Sequence, residues 1–156
     1  MSVNPKDSDS SAQVPADETL EDQISRTRHT LQIGGEKLRY TATAGTLVLK
    51  QEEEGDDKES KGEKAKASIF FIAYTKDAPQ GADEVEYRRQ RPVAFAFNGG
   101  PGSSSVWLHL GLLGPRRVRA MDENDKVLPP PYRLVDNQQS LLDETDLVFV
   151  DPVSTG

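Results

Sequence analysis

A chain of 156 residues with 35% hydrophobic side chains and a formal charge of −7 is long enough for one core but leaves much of itself in water. Its 26 acidic against 19 basic side chains work against polyanions, so neither nucleic acid nor an anionic membrane surface is expected as a partner. The absence of cysteine excludes a disulfide framework, a thiolate metal site and a cysteine nucleophile. The first residues have no basic and apolar leader pattern, and no run is long enough to span a membrane, so a cytoplasmic location is the default expectation.

Residues 1–28 mix Ser, Asp, Glu, Pro and Gln with few apolar positions, a composition that predicts a disordered acidic tail. From His29 the pattern turns to period two. Leu31 and Ile33 alternate, Gly34-Gly35 supplies a tight turn, and Leu38, Tyr40 and Ala42 alternate again, which predicts a β-hairpin. Residues 46–49 read as a further strand, residues 51–66 as a charged solvent loop, and residues 68–74 as a strand paired across that loop, so the opening third is an antiparallel meander.

Residues 92–97 are wholly apolar, which predicts a central strand buried on both faces. The strand runs into a glycine-rich loop, and a helix through Leu113 then stops at Gly114-Pro115. A second hairpin is predicted from residues 117–121 and 126–128 around the turn formers Asp122, Glu123, Asn124 and Asp125. Three prolines keep residues 129–131 extended, Asp136-Asn137 caps a short piece through Leu142, and residues 146–151 form a second buried strand stopped by Pro152. Two apolar strands separated by a helix indicate a βαβ-type core.

Strand, glycine loop and helix is the layout in which free backbone N–H groups hold negative charge at a sheet edge. No lysine follows the glycines as a phosphate-binding P-loop requires, and Ser105 stands where a dinucleotide fingerprint needs its third glycine. An oxyanion asks only for a close, unobstructed N–H and a stiff turn, which Gly99-Gly100-Pro101 supplies. A plain strand-to-helix turn makes the same local demands.

The string Asn98-Gly99-Gly100-Pro101-Gly102-Ser103-Ser104-Ser105, followed by Leu113-Gly114-Pro115, resembles the serine carboxypeptidase family, as do Asn137-Gln138-Gln139-Ser140 and the stretch from Val148 to the final Gly156. The resemblance covers residues 29–156 and implies the N-terminal portion of an α/β-hydrolase: a mixed sheet of antiparallel strands plus the first central strands, incomplete by itself. It implies a serine-type hydrolase that releases C-terminal residues through an acyl-enzyme, with Gly100 donating an oxyanion-hole N–H and Asn98 and Gly99 binding the substrate's carboxylate. It implies a peptide or ester substrate and no cofactor or metal.

Three positions depart from the family pattern. Ser103 replaces a cysteine of secreted relatives, Ala96 a frequent tryptophan, and Leu112 a glutamate that binds the substrate carboxylate, so esterase-like or altered peptidase specificity stays open. No G-x-S-x-G nucleophile elbow occurs, and in this fold serine, acid and histidine follow one another beyond the strand ending at Asp151. The chain alone is therefore expected to lack triad catalysis, as part of a longer hydrolase or as a non-catalytic truncated or binding module.

Neither histidine has a catalytic setting: His109 is expected to pack or face water within the helix, and His29 to lie on the surface. The acidic run from Glu52 to Asp57 lacks the alternation of a calcium loop. The basic groups Arg88, Arg89 and Arg91 and Arg116, Arg117 and Arg119 are read as ion-pairing surface, with Arg116 and Arg117 as candidates near an acidic substrate.

Overall fold

The computed structural model describes residues 21–54, 60–100 and 102–155. Its main feature is a five-stranded mixed sheet in the order β1 (Gln23–Ile33), β2 (Glu36–Glu54), β3 (Ser60–Lys76), β7 (Asp146–Asp151), β4 (Val93–Ala96), with a separate two-stranded ribbon of β5 (Arg116–Arg119) and β6 (Arg133–Asp136). The molecule is strand-rich, with few and short helices.

Strands β1 (Gln23–Ile33), β2 (Glu36–Glu54) and β3 (Ser60–Lys76) form the expected antiparallel meander, turning first at Gly34-Gly35. The meander is longer than its apolar alternation. Residues 23–28, expected in a disordered tail, pair with residues 41–46, so the tail reading fails from Gln23 onward. The reason is that these side chains, all polar except Ile24, stand exposed on a ladder whose backbone partners are supplied by β2. The expected loop at 51–66 is likewise too long: Lys50, Gln51 and Glu52 pair with Ala65, Lys64 and Glu63. The earlier part of the tail, residues 1–20, and residues 55–59 lie outside the described residues.

Helix α1 (Glu84–Gln90) begins at Asp83, whose carboxylate accepts the Glu86 N–H at 2.9 Å, and carries Glu84 and Glu86 in its first turn and Arg88 and Arg89 in its last. Both ends thus suit the helix dipole. Arg91 then leads into β4 (Val93–Ala96), which runs parallel to β7 (Asp146–Asp151) from Val93 opposite Asp146 to Ala96 opposite Phe149. The parallel pair is the predicted crossover unit. β7 meets the prediction of a buried strand, with Leu147 and Phe149 fully enclosed.

β4 does not: it is the last strand of the described sheet, and Val93 and Phe95 are 53% and 60% exposed. Its apolar sequence fits a strand covered on both faces, but among the described residues one face has no cover.

Between them, α2 (Val106–Leu108) continues as a π-helical turn, His109–Leu113. Gly114 follows it with an extended backbone, and the position requires glycine, because a Cβ there would collide with the His109 carbonyl oxygen. β5 (Arg116–Arg119) pairs with β6 (Arg133–Asp136), a strand the sequence reading did not foresee. The predicted second hairpin survives as a bridge between Met121 and Val127, with Leu128 N donating to Ala120 O at 2.9 Å. A cis peptide joins Pro130 and Pro131.

The core gathers Leu31, Leu38 and Tyr40 of the hairpin, Ala96, Leu147 and Phe149 of the parallel pair, and Leu142 from a short 3-10 turn before β7.

Candidate functional site

Because β4 and β7 are parallel, the loops that follow them leave from the same sheet edge. The first carries Asn98, Gly99 and Gly100. The second begins at Pro152 and closes as a turn in which Thr155 N donates to Pro152 O at 3.1 Å. The two loops meet where Gly102 passes the Ser154 carbonyl oxygen, 3.9 Å from a Cβ built on the glycine. Pro101 lies outside the described residues.

Gly100 has a φ of +83°, a conformation that an L side chain adopts only under strain, and nothing lies within 4 Å of a Cβ built on it. Local backbone geometry, not crowding, therefore selects glycine here. The space above Gly99 is equally open. Ser103 N donates back to Gly100 O at 3.4 Å, closing the turn. The Asn98 Nδ2 group donates to Ser103 Oγ and, at 3.3 Å, to Gly99 O, so its amide braces the loop it belongs to.

The loop is fixed at its far end by charge. Asp151, the last residue of β7, accepts the Ser105 N–H at 2.6 Å and so ties the start of α2 to the parallel strand. Charge-assisted bonds of this kind are about twice as strong as neutral ones. At the other end of the helix, Asn137 is 1% exposed, and its Nδ2 donates to Leu112 O at 2.8 Å and to Gly114 O at 2.9 Å. Ser140 Oγ adds a bond to Leu113 O at 3.0 Å. Three carbonyls that the helix terminus leaves over are thereby satisfied. Asn137 also accepts the Gln139 N–H at 3.1 Å, which closes a local turn; it does not cap the expected helical piece, since the 3-10 turn begins only at Leu141, after Ser140.

Beneath the helix, His109 is buried against Phe149, with ring centroids 4.8 Å apart, and its Nε2 meets Tyr74 Oη at 2.6 Å. Burial lowers the imidazole pKa, while the Asp151 charge opposes the shift. Burial also raises the Tyr74 hydroxyl to about 12, with Tyr40 adding to the effect. With Nε2 committed to Tyr74, His109 braces the helix and is not a base facing the loop. His29 is exposed and stacks on Tyr40 at 5.4 Å. No group of three or more metal-ligating side chains occurs among the described residues.

Chemically the edge offers an open glycine backbone on a braced loop and, among the described residues, no side-chain nucleophile paired to a base. The structure brings Asn98, Gly99 and Gly100 together, and leaves Arg116 away from them, on a different groove. Sequence reasoning missed the Asp151 tie and the Tyr74 to His109 bond, which join residues 46 and 35 positions apart and leave no local signal. Among the described residues no helix is long and apolar enough to cross a membrane.

No family model and no curated protein sequence matches the chain. Among solved structures, the crystal structure of Kex1(delta)p, a prohormone-processing carboxypeptidase from Saccharomyces cerevisiae, is similar, with a TM-score of 0.50 and 27% identity. The likeness covers 74% of this chain and 20% of that one, so the chain spans about a fifth of its neighbour's length. The fold is carboxypeptidase-like.

Proposed function

We propose that these residues form the oxyanion-side part of a serine-type carboxypeptidase-like hydrolase. The observation that carries this reading is Gly100, held at positive φ under open space on a loop braced by Asn98 and Asp151. A carbonyl oxygen seated there accepts the Gly100 N–H as it gains charge. No residue here has the flanking glycines of a nucleophile elbow, so this reading requires the attacking serine to come from outside these residues.

The chemistry that follows is acyl transfer. The serine hydroxyl adds to the scissile carbonyl, its proton passes to the base, and the tetrahedral oxyanion rests on Gly100 and on the N–H after the serine. Collapse expels the C-terminal amino acid, which takes the proton, and water then releases the acyl group. Asn98 and Gly99 bind the terminal carboxylate, with the Asn98 amide exchanging Ser103 Oγ for a carboxylate oxygen.

Leu112 supports broader specificity. It stands 58% exposed and apolar where the resembled family has a carboxylate-binding glutamate, so an ester is a competing substrate.

The test uses the protein at its natural length, purified from its source. A fluorophosphonate, which reacts only with an activated serine, is expected to label it covalently and abolish release of C-terminal residues from blocked dipeptides. A protein that is neither labelled nor able to cleave peptide or ester contradicts the reading and leaves a binding module.

A further inference from the structure

A second concavity lies at the other edge of the sheet. The register places Tyr40 and Thr41 opposite Lys76 and Thr75, beyond the Tyr74 to Leu147 pair, at the amino end of β7. There a groove of about 780 Å³ is bounded by β1, β2, α1 and the start of β5. That volume is within the range of ligand pockets, but its walls are charged.

Its charged lining consists of Arg28, Arg39, Arg88 and Arg116 against Asp77 and Glu84, a surplus of two positive charges on a chain that carries −7. Most of these groups already have partners. Arg88 Nη2 lies 2.6 Å from Glu84 Oε1, Asp77 accepts the Thr41 hydroxyl at 2.9 Å, and Arg116 Nε is 3.5 Å from Asp136. Among the described residues, no carboxylate lies within ion-pair distance of Arg28 or Arg39.

These two arginines have a fixed spacing. Arg28 is opposite Thr41 and Arg39 opposite Thr30, so the arginines are diagonal neighbours on one face of the hairpin. Diagonal neighbours in an antiparallel pair are about 7–8 Å apart. Alternate side chains of an extended peptide lie on one face about 6.8 Å apart, close to that spacing. A single compact anion would engage both arginines only by drawing their guanidinium groups together.

We propose that this groove binds an extended acidic peptide segment with carboxylates at alternate positions, one on Arg28 and the next on Arg39. The guanidinium forks suit carboxylates bidentately. The site is on the opposite edge from Gly100 and stands or falls independently of the hydrolase reading.

The test is fluorescence anisotropy of the purified protein with a labelled, blocked pentapeptide alternating glutamate and threonine. The peptide begins and ends on threonine, so it holds two glutamates at alternate positions; the comparisons are an isomer with those two glutamates contiguous, a version with glutamine for glutamate, and inorganic phosphate as competitor. The alternating peptide is expected to bind saturably and about tenfold more tightly than the glutamine version, with affinity falling as salt rises. In the double variant Arg28→Gln and Arg39→Gln, both exposed positions, the same tenfold is expected to be lost. If the double variant melts early, the single variants decide, each expected to lose about threefold. The proposal is overturned by no saturable binding, by equal binding of the contiguous isomer, by phosphate competing as well as the peptide, or by unchanged affinity in the variants.

Discussion

The two ends of the parallel β4 and β7 pair are built to opposite plans. At the amino end, Arg91 Nε meets Asp146 at 2.8 Å with both side chains nearly buried, and its other nitrogens donate to Leu142 O at 2.9 Å and Asp143 O at 3.3 Å. Asp146 also accepts the Lys76 N–H at 3.1 Å, which draws in β3. At the carboxyl end, Gly99 and Gly100 face open space, and only the roots of their loop are tied, through Ser103 and Asp151. One end spends its polar groups on the fold. At the other, among the described residues, no hydrogen bond engages the N–H of Gly99 or Gly100, which is what binding a developing charge requires.

Breaking the closed end gives the largest expected effect. Arg91→Met leaves the Asp146 carboxylate without its cation and strands two carbonyls, and is expected to cost about 3–5 kcal/mol in urea denaturation. A cost below about 1 kcal/mol would mean that the bridge behaves as a surface pair and that the two ends do not differ as described.

A smaller effect probes the floor between the two ends. The folded state holds the Tyr74 proton more tightly than the unfolded chain does, with a pKa of about 12 against an ordinary 10. Its contribution is therefore complete below pH 10 and is lost as pH rises toward 12. Urea midpoints are expected to fall across that window. Tyr74→Phe is expected to flatten the fall without removing it, because burial also raises Tyr40. An unchanged alkaline slope in the variant would place the effect elsewhere.

The sequence made the meander legible because Leu31, Leu38 and Tyr40 alternate, and alternation is the direct imprint of a sheet with one buried face. It blurred the ends of the strands, because residues 23–28 and 50–52 pair through the backbone while showing polar side chains to water. The short β6 escaped notice behind three prolines, since Leu134 and Val135 alone carry too little pattern. The exposure of β4 was misread for a different reason: apolar composition reports what a strand is suited to, and β7 is its one partner in the described sheet. At the site, Asn98, Gly99 and Gly100 are contiguous and could be read as a string. The groups that brace them come from β3, β7 and the segment before the 3-10 turn, and only folding brings those together.

The role of the open end is tested most directly by Gly100→Ala in the protein at its natural length, with Gly81→Ala as the control. Both glycines have positive φ, +83° and +86°, so both substitutions strain the backbone alike, but Gly81 is remote from the loop. If Gly100 presents its N–H to the oxyanion, its substitution lowers kcat/KM by about 100-fold or more while Gly81→Ala leaves it nearly unchanged. Equal, small losses in both variants would show that Gly100 only turns the chain, and would contradict the oxyanion assignment.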